Sequence, residues 1–399
     1  MKTTVGVFFG GRSTEHEISV ISANQAMAAI DADKYNIVPI YIAKDGHWYT
    51  GDALTDVSNY KKGIKELLTA CTEVYMRPVY GDYNLYPAKR SGFFDKGKPV
   101  ATLDVVIPVL HGSNVEDGIF EGVLETIGIP YAGCNTLASA NGMDKITMKM
   151  ILAADGIPVV DYVWFTDRQW GCDKDALIDR IEKELGYPVI IKPANLGSSI
   201  GIGSAHNREE LISRIDDASR YSMRIIVEKM VRNLQEINCS VLGDADEYQT
   251  SVLEEPIKSG DFLDYGQKYM GGSKNERGMQ ASKKRIPADL PEDETKRIQH
   301  LAGETFRVLG CHGVSRVDVM IDADTREIYV NEINTIPGSL SFYLWEAAGV
   351  GFTELMDRLV RLAFKRKRQQ ETKTTSFDSN IFAMGGGVKG AKGCKGGVK

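Results

Sequence analysis

Asp318 stands in the middle of the run Arg316-Val317-Asp318-Val319-Met320, with a valine on either side. A run of this kind reads as a buried strand, where a carboxylate is costly unless a cation meets it. Farther on, Glu332 and Asn334 in Glu332-Ile333-Asn334-Thr335-Ile336-Pro337-Gly338 are two apart, so on a strand both face one side. Two adjacent strands then present two carboxylates and an amide oxygen. That hard-oxygen set suits magnesium held between protein and phosphates, and points to ATP.

Composition narrows the function classes. The chain has 399 residues and is 43% hydrophobic, enough for two or three domains with sizeable cores. A net charge of -6 and a pI near 5.7 argue against a nucleic-acid partner. Six scattered cysteines (Cys71, Cys134, Cys172, Cys239, Cys311, Cys394) show no metal-ligand or redox spacing, as expected of reduced, mostly buried thiols in a cytoplasmic protein. The N-terminus enters a strand directly rather than a signal peptide. No apolar run reaches the about 18 residues a membrane span needs.

Apolar residues 5–9 end in Gly10-Gly11, and a helix-compatible segment follows from about 13 to 30. With strands at 37–42 and 105–110, this predicts an α/β N-terminal domain over 1–144, built on a doubly wound parallel sheet. The tyrosine- and glycine-rich stretch 46–99 reads as an irregular insertion decorating that sheet. A central domain, 145–229, has helices at 145–155 and 174–185 and strands at 159–165, 189–192 and 224–228. The third, 230–367, has strands near 236–242, 314–321 and 327–332 and an amphipathic helix at 355–367. Its Gly/Ser/Lys/Arg-rich segment 259–288 reads as a mobile lid. From 368 the chain turns polar, then Gly/Lys-rich, as in a disordered tail.

Lys192 ends a strand and precedes a glycine-serine turn, Asn195-Leu196-Gly197-Ser198-Ser199-Ile200-Gly201, whose backbone amides can approach phosphate oxygens. The chain lacks the P-loop signature of a glycine, four residues and Gly-Lys-Ser or Gly-Lys-Thr, and an ordinary hairpin is the alternative. Glu228-Lys229-Met230-Val231 gives an acidic strand end, and Glu236 can accept from a ribose hydroxyl. His111 lies at the carboxyl end of a parallel strand, where open α/β sheets bind ligands, or else caps it structurally. Glu15 opens the first helix, either as an acid favoured by the helix dipole or as partner to a substrate ammonium. Lys268-Tyr269 lies within the lid segment.

The glycine-rich turn, lid and Asp…Glu-x-Asn strands follow the order of ATP-grasp enzymes. More closely, the chain resembles the D-alanine–D-alanine ligase family over about residues 4–365. The blocks carrying the resemblance are 10–19, 111–118, 192–201, 264–269 and 332–338. It implies a three-domain ATP-grasp architecture, α/β with α+β character, and ATP-dependent joining of two D-alanines through a D-alanyl phosphate for peptidoglycan precursor synthesis. By position, Lys145 and Lys192 would hold the ATP phosphates, Glu228 and the backbone near Met230 the adenine, and Glu236 the ribose. Ser199, Lys229 and Val231 belong to the same nucleotide site, and Lys268 would reach the γ-phosphate. Asp318, Glu332 and Asn334 would bind two magnesium (or manganese) ions. Glu15 would hold the first substrate's ammonium, joined by Ser198 and Tyr269 in a hydrogen-bond network, with His111 and Glu116 lining the cleft. Arg316 and the Gly338 amide would stabilise the oxyanion. The resemblance also implies a homodimer.

The chain departs from the family pattern in places. Val115 replaces a glycine, Glu121 replaces a glutamine, and Glu236 falls about one residue farther on than the commonest spacing. In the grip on the second substrate's carboxylate, Leu344 keeps the family leucine, but Tyr343 replaces the serine. Tyr269 is the residue type that goes with D-alanine as acceptor; D-serine is the alternative.

Overall fold

The computed structural model describes residues 2–89, 97–197, 201–257 and 284–376. Ser198, Ser199, Lys268 and Tyr269, most of segment 259–288 and the chain beyond 376 lie outside them.

The first sheet has a parallel centre of β1 (Thr3–Gly10), β2 (Tyr35–Ile42) and β7 (Val105–Val109), with β1 in the middle. The apolar runs of β1 and β7 are fully buried, as a parallel sheet covered by helices requires. The helices His16–Ala29, Ile119–Ile127 and Phe352–Glu371 share that core through Val20, Leu124 and Leu359. The stretch 46–99 is more regular than its composition suggests. β3 (Trp48–Thr50), β4 (Thr72–Met76) and β5 (Asn84–Pro87), with β6 (Ala101–Thr102), continue the sheet beyond β2 as antiparallel strands. They are short, two to five residues each, and together they add few core side chains, such as Val74 and Leu85.

The second sheet is antiparallel: β8 (Tyr162–Thr166), β9 (Val189–Pro193), β10 (Gly203–Ala205) and β11 (Arg224–Lys229), in the order β10-β9-β11-β8. Alternation decides its two faces. Val189, Ile191, Ile225 and Val227 pack against the helices Lys174–Glu184 and Arg208–Ala218. Ile226 packs instead with Ile146 of the helix Lys145–Ala154, so Lys192 and Glu228 share that inner face.

The third sheet runs β14-β13-β12-β15-β16, with β12 (Leu234–Gly243), β13 (Tyr248–Pro256), β14 (Lys284–Arg285), β15 (Gly313–Asp322) and β16 (Ile328–Asn334). Val317, Val319 and Ile333 bury one face with Ile298 and Phe306 of the helix Glu292–Val308. Arg316, Asp318, Glu332 and Asn334 therefore occupy the other. The five cysteines described are free thiols. Among the described residues, no helix is long and apolar enough to cross a membrane.

Candidate active site

The oxygen ligands meet by strand register. Asp318 stands opposite Glu332 and Arg316 opposite Asn334. Asp318 accepts from Arg316 Nε at 2.6 Å and from a terminal guanidinium nitrogen at 2.8 Å, and from Asn334 Nδ2 at 3.1 Å. Asn334 thus turns its amide nitrogen to Asp318, which leaves its oxygen for a cation. Two carboxylates and one amide oxygen fit a hard divalent ion, and Arg316 holds the negative charge of Asp318 meanwhile.

A β-bulge refines the arrangement. Val319 pairs with Val330, so Asn331 is the extra residue in β16. Its Oδ1 accepts from Lys192 Nζ at 3.0 Å, joining the second and third sheets. Lys145 makes a second bridge: its Nζ lies 3.1 Å from Glu332 Oε2 and donates to the Leu196 carbonyl at 2.9 Å. Asp144 caps that helix on Thr147 N and pairs with Arg224 at 2.5 Å, fixing where Lys145 starts. Lys192 also donates to Glu228 Oε2 at 2.7 Å, and Lys149 Nζ lies 3.3 Å from Glu228 Oε1. Burial pushes the Glu228 carboxyl up, but Lys149 and Lys192 outweigh it and hold its pKa below the ordinary value. Sequence reasoning missed Lys149 and Asn331. Lys149, one turn after Lys145 on an otherwise apolar helix face, could have been noticed; a bulge leaves no such sign.

Among the remaining nucleotide candidates, Lys229 N–H and Met230 N–H are engaged by the Asp161 and Pro188 carbonyls, so these two amides serve the protein. Lys229 is exposed, and Val231 follows on the link into β12. Glu236 lines a cavity of about 350 Å³ with Glu255, Ile257 and Arg285.

The other end of the cleft is built from loops of the first sheet. Glu15 occupies the N-cap position of the first helix without using its side chain as a cap. Its carboxylate instead packs beside Gly112 and Gly197: a Cβ on Gly112 (φ +83°) would lie 3.1 Å from Oε2, and one on Gly197 3.2 Å from Oε1. Glu116 accepts from Gly112 N at 2.9 Å and Ile336 N at 3.0 Å, tying this loop to the segment after β16. Burial, with Glu15 nearby, pushes its pKa up to about 8. His111 Nδ1 meets the Ile336 carbonyl at 2.9 Å and Nε2 the Ser22 hydroxyl at 3.0 Å. A carbonyl only accepts, so Nδ1 carries the proton. Burial pushes His111 down to about 4, keeping the ring neutral above that pH. Both residues thus brace the loop that carries Gly338.

That loop is strained. Gly338 opens a turn in which Ser339, Leu340 and Ser341 all have φ near +50° (51°, 52° and 52°). Left-handed backbone costs about 1–2 kcal/mol for each such residue, so the turn needs support. Ser339 N donates to Ser22 Oγ at 3.0 Å, and Ser339 Oγ bonds Gln25 at 2.6 Å. Next in the chain, Tyr343 gives its hydroxyl to Glu254 at 2.9 Å, and Lys284 Nζ sits 3.5 Å over its ring. Leu344 is wholly buried.

Three sheets whose lysines and oxygen ligands meet across strands are the arrangement of the ATP-grasp fold. A family model described as "D-ala D-ala ligase N-terminus" matches residues 4–134, and one described as "D-ala D-ala ligase C-terminus" matches 151–361. A D-alanine–D-alanine ligase of Natranaerobius thermophilus is 39% identical over 383 residues, covering 95% of this chain and 100% of that relative. The solved D-alanine–D-alanine ligase of Coxiella burnetii aligns with a TM-score of 0.76 at 30% identity, over 93% of this chain and 96% of its own. The VanG D-Ala:D-Ser ligase of Enterococcus faecalis aligns with a TM-score of 0.77 at 31% identity, over 91% of this chain and 100% of its own. The chain belongs to the D-alanine–D-alanine ligase family.

Proposed function

We propose that this protein joins two D-alanine molecules with cleavage of ATP to ADP and phosphate, supplying the dipeptide for peptidoglycan precursors. The observation that carries the reading is the pair of bridges from two lysines to the strand that carries the oxygen ligands, Lys145 to Glu332 and Lys192 to Asn331, with the buried Glu15 beside Gly197 of the segment that follows Lys192. The donor carboxylate oxygen bonds to the γ-phosphorus as the bond to ADP breaks, giving an acyl phosphate. The acceptor amine then attacks the acyl carbon, and phosphate leaves. Glu15 holds the donor ammonium. Arg316, with one guanidinium nitrogen not committed to Asp318, and the Gly338 amide face the developing oxyanion. Asp318, Glu332 and Asn334 would hold magnesium, which would neutralise phosphate charge.

A second reading, D-serine as acceptor, rests on Tyr343, which stands where the family pattern has serine and gives its hydroxyl to Glu254. The test of the main reading is ADP release with magnesium-ATP and D-alanine, with hydroxylamine added to trap the acyl phosphate. D-Alanine-dependent ADP and a D-alanyl hydroxamate are expected. ADP release indifferent to D-alanine, or no hydroxamate, would contradict it.

A further inference from the structure

Lys149 has no part in the chemistry above, yet it is wholly buried beside the nucleotide site. Its only ion partner among the described residues is Glu228 at 3.3 Å, and neither Lys149 Nζ nor Glu228 Oε1 is aligned for a hydrogen bond. Glu228 is 2% exposed, and its second oxygen holds Lys192 at 2.7 Å. Two ammoniums and one carboxylate therefore share a space with almost no water. Burial lowers the Lys149 pKa, with Glu228 acting to raise it and Lys192 to lower it further. A buried ammonium with so little hydrogen bonding is expensive to keep, so a purely structural fold would do better with methionine there.

Charge balance gives it a use. With Lys149 in place, the pull of Glu228 on Lys192 is opposed by the repulsion between the two lysines. Without it, Lys192 faces a lone buried carboxylate, and phosphate oxygens must compete with Glu228 for that one cation. We infer that Lys149 is a positioning residue of the nucleotide site: it neutralises Glu228 so that Lys192 stays available to the phosphates of ATP. This rests on the reading of Lys192 as a phosphate ligand.

The test is steady-state kinetics of the full chain with magnesium-ATP and D-alanine. Lys149→Met raises the KM for ATP about tenfold or more, while the KM for D-alanine stays within about twofold. Adding Glu228→Gln returns the ATP value towards that of Glu228→Gln alone, a rescue that a merely structural lysine would not show. Should Lys149→Met fail to fold, Glu228→Gln is compared with Lys149→Met/Glu228→Gln, and the two share one ATP KM within about twofold. Equal rises in both KM values, or a further tenfold rise when Lys149→Met is added to Glu228→Gln, would overturn the inference. A wild-type chain that binds ATP in calorimetry but releases no ADP would defeat the ligase reading instead; ATP affinities of the same variants then decide the role of Lys149.

Discussion

Glu121 stands on the helix Ile119–Ile127 at 1% exposure, and its Oε2 meets no hydrogen-bond partner among the described residues. Burial pushes its pKa up to about 8, so it is protonated at neutral pH. Burial that raises the pKa of an acid costs the fold little below its ordinary value near 4.5, and destabilises the fold increasingly as pH rises towards 8. Glu121→Gln, which restores the residue type the family pattern carries, removes the burden. We expect no gain at pH 4.5 and roughly 3–5 kcal/mol by pH 8, read from denaturant unfolding across that range. A gain that does not change with pH would contradict the assignment. Asp318 was legible because it interrupts a run of valines that reads as a strand; Glu121 was visible only as a departure from a pattern, since a carboxylate in the first turn of an amphipathic helix looks ordinary.

At the scale of elements, period-two spacing carried most of the site. It placed Glu332 and Asn334 on one face, and β16 ends at Asn334. It also separates the Lys192 face of β9 from its Ile191 face. The turn Gly338–Ser341 could not be read this way, because three non-glycine residues in left-handed backbone contradict local preference and persist only through contacts from the first sheet. Ser22 is the contact to remove. Ser22→Ala leaves Ser339 N and His111 Nε2 without their buried partner, which costs about 1–3 kcal/mol each at most. We expect kcat to fall about tenfold, through loss of the Gly338 amide's alignment, with the KM for ATP unchanged. Loss confined to ATP binding would contradict this role for the turn.

For the whole molecule, the site exists only where three sheets meet. Lys192 of the second sheet and Lys145 of the helix packed on it reach the third, and Glu116 and His111 reach from the first to the segment after β16. Long-range pairings of this kind are invisible to periodicity, which explains why the separate candidates were legible but their bracing was not. In this assembly the three sheets act together to make D-alanyl-D-alanine. The most direct measurement is the mass of the product formed from magnesium-ATP with D-alanine alone and with D-alanine and D-serine at equal concentration. D-Alanyl-D-alanine is expected from the first mixture and as the main product of the second. A D-alanyl-D-serine product dominating the second mixture, or no dipeptide from D-alanine alone, would contradict it.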